Sequence, residues 1–289
     1  KKRKRKKEAL RQEKYKAYLN EMKAKIIDEC ARQTEILHEN HITVADCSDR
    51  IKLLRPNLWE RGFGQNDFLK LRAGLGSQKL DAEFTYPERR FTIDRDNLQE
   101  ELYRLCETPK VLNNIPITLS LFENYICGII GNRKLTKEFA RGIILQLAAL
   151  YSYDEVKLLF LFDEEESKEF EFTKWLPHVW NNENNFRLIA TNSHEIKEVS
   201  AYLEKEIEVR AEISEQDMKE AAPYYIIFSF SQKLAKRAEM LKQIYAEDKN
   251  MHISVLSIFD EFKSLPKECT AVVELERNSG KIYNKDRKS

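Results

Sequence analysis

Cysteine is sparse in this 289-residue chain, and none of it falls in a metal-binding pattern. The five residues (Cys30, Cys47, Cys106, Cys127 and Cys269) are scattered, odd in number and never arranged as CxxC. That argues against a zinc site or a disulfide framework and points to a reducing, cytoplasmic compartment. Also missing is an uncharged apolar run near the roughly 18 residues needed to span a bilayer. The most apolar stretches, LLFLF and YYIIFSF, have the length of strands. There is no signal peptide, and the chain opens on Lys1 rather than Met, so we expect a piece of a longer protein. G-x-S-x-G is absent, and no cysteine has a histidine partner at motif spacing, so nucleophilic hydrolysis has no support.

What is present is a substantial core under a charged surface: 42% of residues are apolar and 34% charged. The net charge of +1 hides an asymmetry. The first 25 residues carry 12 Lys/Arg and 3 Asp/Glu, whereas the rest carries 37 and 45. A body devoted to gripping nucleic acid would show the opposite sign.

The opening KKRKRKK (residues 1–7) reads as a solvated, self-repelling tail, a nucleic-acid or localisation patch, or the cytoplasmic flank of a membrane helix. From Glu8 to about Asn40 there is no Gly or Pro. Tyr15, Leu19, Met22, Ile26 and Cys30 form one stripe at helical spacing, which predicts a long amphipathic helix. Such a helix serves as a stalk or packs on the body. Residues 1–40 are therefore set apart as a basic leader and stalk helix.

Residues 41–115 read as a small β-containing subdomain. LWERGFGQNDFLKLRAGLGS holds Gly62, Gly64, Gly74 and Gly76, half of all the glycines, without a helix start close behind them. AEFTYPERRFTI predicts a hairpin, and Asp96 to about Glu107 a short helix.

Residues 116–289 read as an α/β domain. Expected strands are ITLSL, YICGII, KLLFLF, FRLIAT, YYIIFSF, HISVLSI and TAVVEL, with helices at 135–151, 194–213 and 232–247. The strands are continuously apolar, as in a mostly parallel sheet covered by helices on both faces.

Within this domain, ICGIIGNRKLTKEF has the order strand, glycines, lysine, helix. A phosphate loop of the G-x-x-x-x-G-K-[ST] kind wraps backbone N–H groups around phosphates and sets a hydroxyl on Mg²⁺. Aligned on Gly128, the pattern puts Lys134 on the lysine position. Arg133 then stands where the second glycine belongs, and Leu135 where the metal hydroxyl belongs. Gly131 is two residues early. Thr136 is one late, about 100° around the helix. We therefore expect a degenerate nucleotide site at Gly128, Gly131, Asn132, Arg133, Lys134 and Thr136, in which the Arg133 side chain fills the space of a phosphate. Asp163 and Glu164, ending KLLFLFDEEE, stand where a magnesium-holding acid and its neighbour stand in such ATPases, and both are candidate partners of Lys134. An ordinary strand-to-helix turn and a solvated acidic run are the alternatives. His178 in KWLPHVW reads as a packing residue, and His38 and His41 lack an acid or Cys at ligand spacing.

The basic leader, the long helix, LWERGFGQNDFLKLRAGLGS, GIIGNRKLTKEFARGIILQLAALYSYDEVKLLFLFD and KWLPH together resemble the membrane-proximal domain of the FtsK/SpoIIIE-type ATPases of type VII secretion systems, the EssC/EccC/YukB family. The resemblance covers most of the chain. It implies a P-loop NTPase-like (RecA/FtsK-like) fold in a fragment of a membrane-anchored protein, on the cytoplasmic side of the bacterial cell membrane. It also implies downstream ATPase domains in the same chain, membrane components of the secretion system, export of small WXG-type helical proteins, and a possible homo-oligomer. ATP and Mg are implied for the parent protein. For this domain no cofactor, no catalytic residue, no metal ligand and no nucleic acid are expected, and residues 1–7 are expected to meet the membrane surface. The alternatives are a slow ATPase using Lys134, Asp163 and Glu164, and a DNA-translocating motor. The acidic body argues against the latter.

Overall fold

The computed structural model describes residues 2–86, 97–213 and 222–284. Most of the second half of the expected AEFTYPERRFTI hairpin, from Pro87 onward, lies outside them. The chain forms two compact units: residues 1–42 with 74–117, and residues 43–73 with 118–289.

In the first unit, α1 (Lys2–Asn40) is the long helix that the absence of Gly and Pro predicts. Its residues 2–14 are exposed, whereas Leu19 is fully buried. Farther along, Ile26, Cys30 and Leu37 pack on a core of Leu80, Leu112 and Ile115. Polar contacts fix the register: the Lys23 ammonium lies 2.7 Å from Glu101 on α3 (Asn97–Glu107), and Gln33 Nε2 donates to Asp81 O at 2.7 Å. One helix thus carries an exposed N-terminal stretch and a packed C-terminal stretch. The strands β1 (Lys70–Lys79) and β2 (Val111–Ser120) form a two-stranded ribbon. ITLSL accordingly belongs to that ribbon rather than to the main sheet.

The second unit is α/β, as expected. Its seven strands are β3 (Ile126–Gly131), β4 (Val156–Leu161), β5 (Ile189–Ala190), β6 (Tyr224–Ser229), β7 (Ile253–Phe259), β8 (Ala271–Leu275) and β9 (Gly280–Asn284). Their order is β5-β4-β6-β7-β3-β8-β9, parallel except for the antiparallel edge strand β9. FRLIAT contributes only the two residues of β5, and β9 has too little apolar character to show in the sequence.

The central strands β3, β4, β6 and β7 are buried along their length because both faces are covered. On one face, Leu159, Leu161, Tyr225, Ile227 and Val255 meet Ile196, Val199 and Leu203 of α5 (Glu195–Ala211) and Leu241 and Ile244 of α7 (Glu239–Ala246). Alternation sends Phe160 and Phe228 to the opposite face, where their rings stack at 5.1 Å. Each such fully buried side chain contributes about 1.5–3 kcal/mol. The helix expected over 232–247 is split into α6 (Gln232–Ala235) and α7. The largest helix of this unit, α4 (Arg133–Leu150), buries Ile143, Ile144 and Leu147.

Residues 43–73, expected in a separate β subdomain, group with this unit for a physical reason. Thr43 and Asp46 form a reciprocal cap that starts α2 (Val44–Lys52), and α2 packs on α4. Farther on, Trp59 N donates to Ala149 O, Trp59 Nε1 to Ala148 O and Arg61 N to Leu150 O. These bonds satisfy the last carbonyls of α4, which have no partner within the helix.

Candidate site at the carboxyl ends of the parallel strands

Of the residues singled out in the sequence, Gly131, Asn132, Arg133, Lys134 and Thr136 gather where β3 ends and α4 begins, whereas Asp163 and Glu164 follow β4. Gly128 lies inside β3, fully paired between β7 and β8, and not in a loop. A Cβ there would come within 2.4 Å of the Leu265 side chain, so this glycine makes room for packing. Gly131 ends the strand at φ +146°, and a Cβ would meet Leu275 O at 2.5 Å, which explains why glycine stands at this position. A single residue, Asn132, then separates strand from helix. Its side chain caps the helix by accepting from Lys134 N at 3.0 Å. The helix starts two residues earlier than the periodicity suggests, because this cap is a local hydrogen bond that apolar spacing does not register.

Arg133 is the first helical residue, and its side chain reaches back over the sheet. Nη1 donates to Ile258 O of β7 at 3.0 Å, and Nη2 donates to Phe230 O just beyond β6 at 2.9 Å. Nε and Nη2 also donate to the two oxygens of Glu166, at 2.8 and 2.5 Å. The guanidinium lies 5.8 Å from the centre of the Phe230 ring. One turn on, the Lys137 ammonium, only 10% exposed, sits 2.9 Å from Glu166 and 3.0 Å from Glu169. A turn further, Arg141 reaches Glu169 at 3.3 Å and covers the Phe170 ring at 5.2 Å. Burial pushes the Glu166 carboxyl up, but the hydrogen bonds from Arg133 and Lys137 outweigh it and hold it below the ordinary range. For Lys137 burial works downward, and the bonds to Glu166 and Glu169 reverse it to a net rise.

The remaining candidates are placed as follows. Lys134 is exposed and, among the described residues, its ammonium has no ionic partner; neither Asp163 nor Glu164 reaches it. Asp163 directly follows β4, which stands three strands from β3, ~14 Å away at about 4.8 Å per strand, and it is Glu166 and Glu169 farther along that segment that reach back to α4, on the face of Arg133 and Lys137. Asp163 Oδ1 accepts instead from Ser231 Oγ at 2.7 Å, and Glu164 is exposed in a short 3-10 turn. Thr136 is fully buried, and its hydroxyl donates to Arg133 O at 3.0 Å, within its own helix. Leu135 carries no polar atom on its side chain.

Sequence reasoning missed Lys137, Arg141, Glu166 and Glu169. A signal was there: Arg133, Lys137 and Arg141 recur every four residues and line one face of α4. Attention to the glycines and Lys134 passed over it.

At the other end of α4 the KWLPH histidine packs as expected. His178 is 1% exposed, edge-on to Trp59 and Tyr153. Its Nε2 lies 2.9 Å from Tyr151 O, and a carbonyl only accepts, so Nε2 carries the hydrogen. Burial holds this imidazole neutral, down to about 4.

Comparison with known proteins adds an independent line. No family model matches the chain. Over 283 residues, 96% of its length, the chain is 23% identical to the type VII secretion system protein EssC of Staphylococcus aureus. Over 286 residues, 98% of its length, it is 22% identical to the ESX secretion system protein YukB of Bacillus subtilis. It spans 19% of the length of these relatives. Among solved structures, EssC (ATPases 2 and 3) from Geobacillus thermodenitrificans aligns with a TM-score of 0.48 and 12% identity, covering 76% of this chain and 39% of that one. Over nearly its whole length the chain is thus similar in sequence to the EssC and YukB proteins of type VII secretion.

Proposed function

We propose that the chain is a module of a type VII secretion motor protein, on the cytoplasmic side of the membrane, that couples a membrane stalk to downstream ATPase domains and does not itself turn over ATP. The similarity to EssC and YukB supports the setting. The observation that carries the second half is the Arg133 guanidinium. It lies over the carboxyl ends of β6 and β7, tied to two carbonyls and one carboxylate, where ligands bind in open parallel sheets. The one-residue connection at Asn132 leaves no loop to wrap a phosphate, and the only hydroxyl nearby in sequence, Thr136, is spent on Arg133 O. ATP and Mg belong, on this reading, to other modules of the parent protein, as do the WXG-type export proteins.

Calorimetry of ATP and ADP against the chain, with and without Mg²⁺, tests the reading. The expected affinity is weaker than about 100 μM, a binding free energy of about 5.5 kcal/mol, with no Mg²⁺-dependent hydrolysis. Micromolar ATP binding that disappears in Lys134→Ala would overturn it in favour of a slow ATPase. For the leader, anionic vesicles should retain the chain, and deleting residues 1–7 should abolish retention at low salt, since each basic residue at such a surface contributes about 1 kcal/mol. Equal retention of both forms would reduce the run to a solvated tail.

A further inference from the structure

We infer that the Glu166 carboxylate is a built-in stand-in for a phosphate, and that the acidic turn carrying it latches shut an anion site formed by Arg133, Lys137 and Arg141. The inference rests on the reading above, that this position is closed to nucleotide in the resting chain. Three observations carry it. First, the guanidinium fork binds carboxylate and phosphate with the same two-point geometry. Glu166 presents one oxygen to Nε and the other to Nη2, as a phosphate would.

Second, the seat does not depend on its occupant. Arg133 is anchored by the backbone carbonyls of Ile258 and Phe230, so its guanidinium stays in place when Glu166 leaves, and the buried stem of Lys137 keeps its ammonium on the same face of α4. Nε, one Nη2 hydrogen and the ammonium would then point at a vacated position. Third, the charges are unequal. Three cations on one face of α4 meet two carboxylates, Glu166 and Glu169, from a single turn. Removing those carboxylates raises the local charge from +1 to +3. The turn itself is short 3-10 structure with Glu164 and Glu165 exposed and Glu169 50% exposed, strung between two fixed points, Asp163 on Ser231 and the buried Phe170, so the stretch between them can swing outward while Phe170 stays packed. The ligand class is a phosphate-bearing anion: one phosphoryl group matches the Glu166 carboxylate that already bridges Arg133 and Lys137, and inorganic pyrophosphate adds a second group for the position Glu169 holds.

The test compares the wild-type chain with Glu166→Gln/Glu169→Gln, using pyrophosphate as the probe in calorimetry at low salt. Amide exchange over residues 163–170 is followed in parallel. We expect pyrophosphate to bind the variant at least ten-fold more tightly than the wild type, the gain to vanish when Arg133→Gln is added, and the turn to exchange faster. Equal affinity in wild type and a folded variant overturns the latch, as does a gain indifferent to Arg133. Should the double variant fail to fold, the exposed Glu169→Gln alone is expected to give a several-fold gain, and its absence counts equally against the latch. Lys134-dependent ATP binding by the wild type is a separate result, which removes the preceding reading rather than this one.

Discussion

At its first turns α4 is held by charge, and at its last by neutral hydrogen bonds and rings. The N-terminal end joins Arg133, Lys137 and Arg141 to Glu166 and Glu169, all partly open to water. The C-terminal end hands its carbonyls to Trp59 and Arg61, places Tyr151 Oη to accept from Leu69 N at 2.8 Å, and rests on His178. An end held by neutral backbone hydrogen bonds and ring contacts is costly to disturb and little affected by salt. An end built from ion pairs that still reach water, from 10% exposed at Lys137 to 50% at Glu169, contributes less and is screened by salt. One helix therefore carries a fixed end and a releasable end, and the candidate site lies at the releasable one.

This contrast can be broken by mutation. Trp59→Ala should have the largest effect, about 2–3 kcal/mol in denaturant unfolding, below the range for a fully buried tryptophan because the ring is partly exposed. The loss should be the same at low and high salt, and a salt-dependent loss would erase the distinction between the ends. Tyr151→Phe should cost about 1–2 kcal/mol, since it strands the buried Leu69 N–H.

Glu166→Gln should cost about 1 kcal/mol at low salt and less in high salt. If its cost equals that of Trp59→Ala at every salt concentration, the N-terminal end is as fixed as the other.

Acid should separate the ends by pH window. His178 has a folded value depressed from 6.5 to about 4, so its contribution is present above 6.5 and is lost as pH falls toward 4. Glu166 is likewise depressed, from 4.5, so its contribution is present above 4.5 and is lost only at lower pH. Lys137 is raised, so its contribution is present below 10.5 and is lost as pH rises through its folded value. Unfolding free energy followed from pH 7 to 3 should therefore fall first through His178, and His178→Gln should flatten the 6.5-to-4 segment alone.

The smallest effect is expected at Lys134. Exposed and without an ionic partner among the described residues, it should change stability by less than about 0.5 kcal/mol on replacement by Ala. A larger change would mean that the lysine most visible in the sequence has a partner after all.

How much could be read beforehand follows from which of these interactions are local. The apolar runs of β3, β4, β6 and β7 were legible because a strand buried on both faces needs apolar residues at every position. The long run without Gly or Pro became α1, and the glycine at the end of β3 marked the turn into α4. His178 was legible as packing from its tryptophan and proline neighbours. Glu166 was not legible as a partner of Arg133, from which it lies 33 residues away, nor was Ile258 O, 125 residues away.

The sequence alone settled that the long apolar runs are the central strands and that residues 8–40 are helical, where the chain turns at Gly131, and that Leu135 offers a metal nothing, because those properties belong to single residues and their near neighbours. Only the tertiary structure decided that β7 and β6 lie between β3 and the strand that Asp163 follows, that residues 43–73 close the end of α4, and that Arg133 meets Glu166. Strand order and ion pairing join residues distant along the chain. A charged side chain carries no local mark of the partner it will meet, so only the closed fold selects one.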